Sequence, residues 1–443
     1  METICKLYAS HFGEEPKEIT LLPLSGSARR YWRVEGSCCS VIACAGTSHA
    51  ENRAFITIAR TMRSQGINAP EIYAVSDDGM CYLQEDLGDG QLYELLQNTG
   101  GNTEAASVES ATVASETEKA PSEARKTSDD PSGPGNNSET GSGRLSAVAS
   151  ETGPGPKTKA SKRDGQMQLL RKTVAALPKL QLRTGKVLDW GVCFPDREMN
   201  RRMVRFDLNY FKYDFLKLTT LPFDELRLQD DFDRLEEDSL LPFGNSFMYR
   251  DFKARNIMIR DGEPWFIDFQ GGRRGPGQYD LASFLWNSET SFDARTRREL
   301  ESVYIDALRE ELNCSAAYSL DTPAAVLRAD SAGKPGSPYP SPRLGKSATD
   351  LRNAAATFDE AQWRESYRTL TLLRLLQEAG AYGYRGFVER KAMFLDSIPA
   401  LIGRFRELCS ESDGRYPYLT ALLLSLSSDW DGSTLLPDLK IEL

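Results

Sequence analysis

Phe247 to Trp286 reads FMYRDFKARNIMIRDGEPWFIDFQGGRRGPGQYDLASFLW, and this stretch decides the fold. Its centre, Arg250-Asp251-Phe252-Lys253-Ala254-Arg255-Asn256, is an R-D-x-x-x-x-N pattern. The apolar run Ile257 to Ile259 follows, then Asp261-Gly262, then a second apolar run that ends in Ile267-Asp268-Phe269. An Asp-Gly pair between two apolar runs marks a tight hairpin turn. The strands are therefore expected antiparallel, which brings Asn256, just before the first, beside Asp268, at the end of the second. Two oxygen donors side by side suit a hard cation.

Each acid taken alone also reads as a solvated turn residue or a helix cap. The combination is harder to reach that way. Mg2+ takes a carboxylate, an amide oxygen, waters and nucleotide phosphate oxygens, and phosphoryl transfer needs that ion together with a carboxylate that orients and deprotonates a hydroxyl. Asp251 stands in the position for the second task, and Lys253 is placed to reach the transferring group. On the Asp-x-x-x-x-Asn loop, the Ile-Asp-Phe motif and Tyr279-Asp280-Leu281-Ala282, the segment resembles the aminoglycoside phosphotransferase and choline-kinase-like family. The resemblance implies Asp251 as catalytic base, Asn256 and Asp268 as magnesium ligands, and Asp280 as the buried anchor of a helix. It departs at Tyr249, near which the family has histidine.

The 443 residues, 40% of them hydrophobic, supply core enough for two lobes. A net charge of −10 argues against a nucleic-acid footprint. No apolar run is long enough to cross a bilayer, and the N-terminus lacks the order of a signal peptide, so a cytoplasmic protein is expected. Eight cysteines without a C-x-x-C pair indicate neither a zinc site nor a disulfide framework.

In chain order, an amphipathic N-terminal helix leads to Ser25-Gly26-Ser27, a small-residue turn able to cradle phosphates through backbone N–H groups and equally readable as a plain hairpin. The helix from Ser48 to Gly66 shows a 3.6-residue apolar period. Its Glu51 is either the acid that pairs with a strand lysine in kinase small lobes or the second half of a Ser48–Glu51 capping box. That lysine is missing: none occurs between Lys17 and Lys119, and Ala45 stands about where it is expected. Arg29, Arg30 and Arg33 are the candidate substitutes. With Val34 taken as packing on the nucleotide base, strand alternation selects Arg30. Gln84 to Asp86 read as the hinge, with Glu85 beside the base and the acids as solvated groups.

Residues 99–165 and 316–356 are poor in large apolar residues and are expected to be disordered insertions. The resulting organisation is a small nucleotide-binding lobe and hinge (1–98), a large catalytic lobe (166–315) and its helical end (357–443). Helical runs are expected at Arg197 to Leu218, with Phe206, Tyr210, Phe211 and Phe215 on a core face, from Trp363 to near Gly380, and through Phe394 to Phe405 with a kink at Pro399. Arg273, Arg274, Arg385 and Arg390 are candidates for an anionic substrate.

The expectation is an α+β, protein-kinase-like fold, a small antiparallel-sheet lobe and a larger mainly helical one, using ATP and Mg2+ to phosphorylate a small-molecule hydroxyl. The Ser/Arg/Arg/Tyr/x/Arg pattern, Ser27 to Arg33, resembles the branch containing the anomeric kinases of N-acetylmuramate and N-acetylglucosamine, which implies an amino-sugar or cell-wall-sugar acceptor. Aminoglycoside and choline remain alternative acceptors, and GTP an alternative donor. A nucleotide-binding pseudokinase is the rival reading.

Overall fold

The computed structural model describes residues 1–23, 29–97, 156–219, 221–241, 246–321, 358–411 and 414–426. The small lobe is one antiparallel sheet of order β1-β2-β3-β5-β4, built from Glu18–Leu21, Arg30–Glu35, Ser40–Ala45, Ile72–Val75 (β4) and Cys81–Glu85 (β5). Strand alternation gives the sheet two apolar faces, and a helix covers each. Val34, Val41, Ala43 and Leu83 pack under Ile4 and Tyr8 of α1 (Glu2–Phe12). On the other face Cys44 and Tyr82 join Phe55, Ile58, Ala59 and Met62 of α2 (His49–Ser64).

This arrangement corrects the strand argument made from sequence. Val34 is buried against α1, so the face it shares with Trp32 and Arg30 is the outer one. Tyr31 packs toward α2, and the odd-numbered residues of β2 share that side.

Asp261 and Gly262 turn the chain with φ of 54° and 73°, the positive values such a turn requires. β7 (Ile257–Arg260) and β8 (Glu263–Phe266) pair antiparallel from Ile257↔Phe266 to Arg260↔Glu263. The large lobe is helical: α4 (Pro156–Val187), α5 (Arg201–Asp214), α6 (Glu225–Leu240), α7 (Gln278–Leu285), α8 (Ala294–Asp321) and α9 (Glu360–Gly383). α4 begins ahead of the expected insertion boundary, and most of both expected insertions lies outside the described residues. Among the described residues no helix is long and apolar enough to cross a membrane.

Three local expectations change. Phe206 is 66% exposed and stacks on Tyr210 at 6.0 Å, while Phe211 and Phe215 supply the core face. Pro399 starts a helix, Ile398–Ser410, where its missing N–H leaves no bond unmade, so it does not kink one. α9 runs past Gly380 to Gly383 and into a π-helical turn because its glycines lie where it crosses α5. A Cβ on Gly380 would come within 2.7 Å of the Tyr210 backbone, and one on Gly383 within 1.8 Å of Asp214 O. Gly383→Ala is therefore expected to lower unfolding free energy by about 2 kcal/mol. Gly403→Ala, where a Cβ meets nothing within 4 Å, is the control. Equal denaturation midpoints for the two variants would sink the close-approach argument.

Candidate functional site

The R-D-x-x-x-x-N loop follows β6 (Phe247–Met248) and is held from below by Asp280, in the first turn of α7. Its carboxylate accepts the backbone N–H of Tyr249 and of Arg250, both at 2.8 Å, and the Gln181 amide at 2.8 Å. Complete burial pushes the Asp280 carboxyl up to about 7, against the three donated hydrogen bonds. Arg250 takes φ of 77°, a strained value for a non-glycine residue. Asp207 of α5 fixes its guanidinium at 2.9 Å.

Tyr249 takes over the scaffolding at the position where the sequence departs from the family pattern. It is fully buried, and its hydroxyl donates to Ile267 O and, at 3.5 Å, to Asn256 O. Ile267 N donates to Asn256 O at 3.1 Å. These bonds set the residues flanking the hairpin side by side, so Asn256 and Asp268 meet at one end of it.

Asp251 projects above this base with 43% of its side chain exposed. Lys253 Nζ lies 3.1 Å from Asp251 Oδ2, and Arg374 Nη2, from α9, lies 4.0 Å from Oδ1. Burial opposes ionisation of Asp251, but Lys253 and Arg374 outweigh it and hold the carboxyl below its ordinary value. Asn256 Nδ2 donates to Asp251 O at 2.9 Å, so the amide oxygen is the end that could bind a cation. Asp268 has φ of 64° and accepts from Gln270 Nε2 at 2.7 Å. Its carboxyl is raised, first by burial and then by the charge of Asp251.

These residues fit a divalent cation. Asp268 is a half-buried carboxylate near a second one, and Gln270 Oε1 beside it is buried without a hydrogen-bond partner. Both are the surroundings a hydrated cation would offset. Among the described residues no group of three or more His, Cys, Asp or Glu side chains gathers at one point, so the donors the protein offers here are one carboxylate and amide oxygens.

Across the cleft, Arg29 is 3% exposed and donates to Glu51 Oε2 at 2.9 Å. It also lies close enough to Asp268 to lower that carboxyl. The cation facing the helix acid is thus Arg29, one residue before β2, and Arg30 is exposed. Of the two roles weighed for Glu51, its side chain takes the pairing with a small-lobe cation, reaching Arg29, while of the capping box the Ser48 half is seen, the Glu51 backbone N–H donating to Ser48 Oγ at 3.4 Å. One turn on, Phe55 stacks on Phe269 with centroids 4.7 Å apart and planes 2° apart. The helix carrying Glu51 and the loop carrying Asp268 are thereby packed as one unit, a contact worth about 0.5–1.5 kcal/mol beyond its burial.

Arg33 belongs to the hinge. It donates to Asp86 at 2.8 Å and to Asp89 at 2.7 Å, while Ser40 Oγ donates to Asp86 at 2.6 Å. Asp86 is therefore a latch between β2, β3 and the hinge, where the sequence suggested mere solvation. Glu85 pairs with Arg260 at 2.5 Å, tying the hinge to the β7–β8 hairpin. Ser25, Gly26 and Ser27 lie outside the described residues. Of the basic residues picked for an anionic substrate, Arg273 is buried and donates to Gly271 O and Phe194 O, and Arg274 pairs with Glu198.

Arg374 is the site residue that sequence reasoning missed. Its signal was present: a lone arginine in the run Leu372 to Leu376, which is otherwise all leucine.

Residues 159–313 match the family described as APH: Phosphotransferase enzyme family. No match was found among the curated proteins. An amicoumacin kinase in complex with AMP-PNP, Ca2+ and Ami is similar in structure at a TM-score of 0.50 and 12% identity, covering 92% of each chain. A choline kinase from Cryptosporidium parvum Iowa II is similar at a TM-score of 0.47 and 11% identity, over 95% of this chain and 99% of that one. At such identity the likeness speaks to fold, and the first of the two carries it. The matching segment runs from α4 into α8 and contains the whole stretch from Asp251 to Asp280; family match and kinase-like fold together make the protein a small-molecule phosphotransferase.

Proposed function

We propose that the protein transfers the γ-phosphoryl group of ATP to a hydroxyl of a small molecule, with an amino sugar or related cell-wall sugar as acceptor. The observation that supports this most is one cleft holding Asp251 with Lys253, Asn256 beside Asp268, and buried Arg29 paired with half-exposed Glu51 opposite. In the step itself Asp251 orients the acceptor hydroxyl and receives its proton. The new O–P bond forms as the bond from the γ-phosphorus to the ADP oxygen breaks. Lys253 and Arg29 spread charge on the transferring and departing oxygens. Mg2+ held by Asn256 and Asp268 would neutralise the phosphates.

The acceptor assignment rests on the resemblance of the Ser/Arg/Arg/Tyr/x/Arg pattern. Arg29 and Arg33 of that pattern face the nucleotide side and the hinge. The missing strand lysine favoured a pseudokinase, and the Arg29–Glu51 pair removes that reason by supplying a cation.

ATP consumption with Mg2+ across amino sugars, plain sugars, aminoglycosides and choline tests the reading, with Asp251→Asn as control. Acceptor-dependent turnover is expected; bound nucleotide without turnover on any acceptor would refute it. Arg29→Ala is expected to lower kcat/KM for ATP roughly ten- to hundredfold, the range of a charge-assisted hydrogen bond, with Arg29→Lys recovering part. An unchanged kcat/KM in Arg29→Ala would remove Arg29 from the phosphate side.

A further inference from the structure

Arg374 sits among Leu370, Leu372, Leu373, Leu375 and Leu376, with 7% of its side chain exposed. A charge in such surroundings needs compensation, and its partners are unevenly placed. Nε donates to Ser283 Oγ at 3.0 Å and Nη1 to Gln377 Oε1 at 2.8 Å. Nη2 stops 4.0 Å from Asp251 Oδ1, beyond hydrogen-bond reach. The other oxygen of Asp251 is taken by Lys253.

A donor and an acceptor 4.0 Å apart leave a position from which one oxygen atom reaches both. We propose that Arg374 is a specificity-determining residue for the acceptor, donating to an oxygen on or next to the reacting hydroxyl while Asp251 takes the hydroxyl's proton. This rests on the phosphotransferase reading above and adds a substrate class to it. The acceptor is neutral or anionic around its reacting hydroxyl, as in a sugar with a ring oxygen, hydroxyl or carboxylate there. An amino alcohol with its cation one carbon from the reacting carbon is disfavoured, because like charges repel strongly in a partly dry cleft. Glu378 offsets part of the Arg374 charge but sits on the side away from Asp251. Its Oε1 accepts from Ser288 Oγ and Tyr382 OH, both at 2.7 Å, and its Oε2 lies 3.7 Å from Nη1, the other terminal nitrogen.

The test compares acceptors matched in size and differing in charge, with the full chain, ATP and Mg2+: glycerol and glycerate against ethanolamine and choline, and N-acetylated against free 2-amino sugars. The neutral and anionic members are expected to give kcat/KM at least about tenfold above the cationic ones, the ratio that ~1.4 kcal/mol produces. Arg374→Gln should bring that ratio toward one and raise acceptor KM with ATP KM unchanged, and Arg374→Lys should keep the preference. A wild-type preference for cations, or no preference, overturns the inference while leaving the phosphotransferase reading intact. So does a ratio that survives in Arg374→Gln. If Arg374→Gln does not fold, the wild type and Arg374→Lys decide. Nucleotide binding without turnover on any acceptor overturns the underlying reading, and the inference with it.

Discussion

Asp251→Asn lowers turnover by roughly 10²–10⁴-fold, the contribution of a positioned general base, and leaves nucleotide affinity close to that of the parent. The substitution keeps the size of the side chain and the main-chain carbonyl that receives Asn256 Nδ2. It removes the carboxylate proposed to take the proton, and also the partner of Lys253. Asn256, Asp268 and Arg29 are untouched, so the nucleotide side of the cleft persists. Steady-state kinetics and calorimetric ATP binding on the same preparation separate the two effects. Near-parental turnover would assign the base elsewhere.

Asp280→Ala is expected to lower unfolding free energy by about 3–5 kcal/mol, because it strands buried donors rather than because it opens a cavity. Tyr249 N, Arg250 N and Gln181 Nε2 all lose their acceptor. Arg250 also loses the bond that holds its positive φ. Asp280→Asn retains one acceptor oxygen but presents an NH2 group to donors, so it should fall between parent and alanine variant. Urea unfolding of the three proteins gives the order. A loss below ~1 kcal/mol, the ordinary cost of a point substitution, would mean that Asp280 does not anchor the loop.

The hairpin was legible because Asp261-Gly262 between two apolar runs has few other solutions, and it set Asn256 beside Asp268. The small lobe's cation was narrowed to three arginines, but the selection among them failed on a point local sequence does not carry. Alternation along β2 separates Arg30 from its neighbours correctly; which face meets the cleft depends on α1, packed on the Val34 side from the start of the chain. Arg374 escaped for a related reason. The leucines on either side of it read as core packing, and the approach to Asp251, more than a hundred positions earlier, exists only after α9 crosses α5 and meets α7. Gly380 and Gly383 mark that crossing.

The cation opposite Glu51 is a guanidinium, and that has a chemical consequence. A cleft lysine is a nucleophile once deprotonated, open to acetylation and to the acyl-phosphate and sulfonyl reagents by which nucleotide sites are labelled. Arg29 keeps its proton at any physiological pH and does not acylate. The side of the cleft proposed for the nucleotide therefore keeps its charge under metabolic acylation. Amine-directed probes would find Lys253 as the amine beside Asp251.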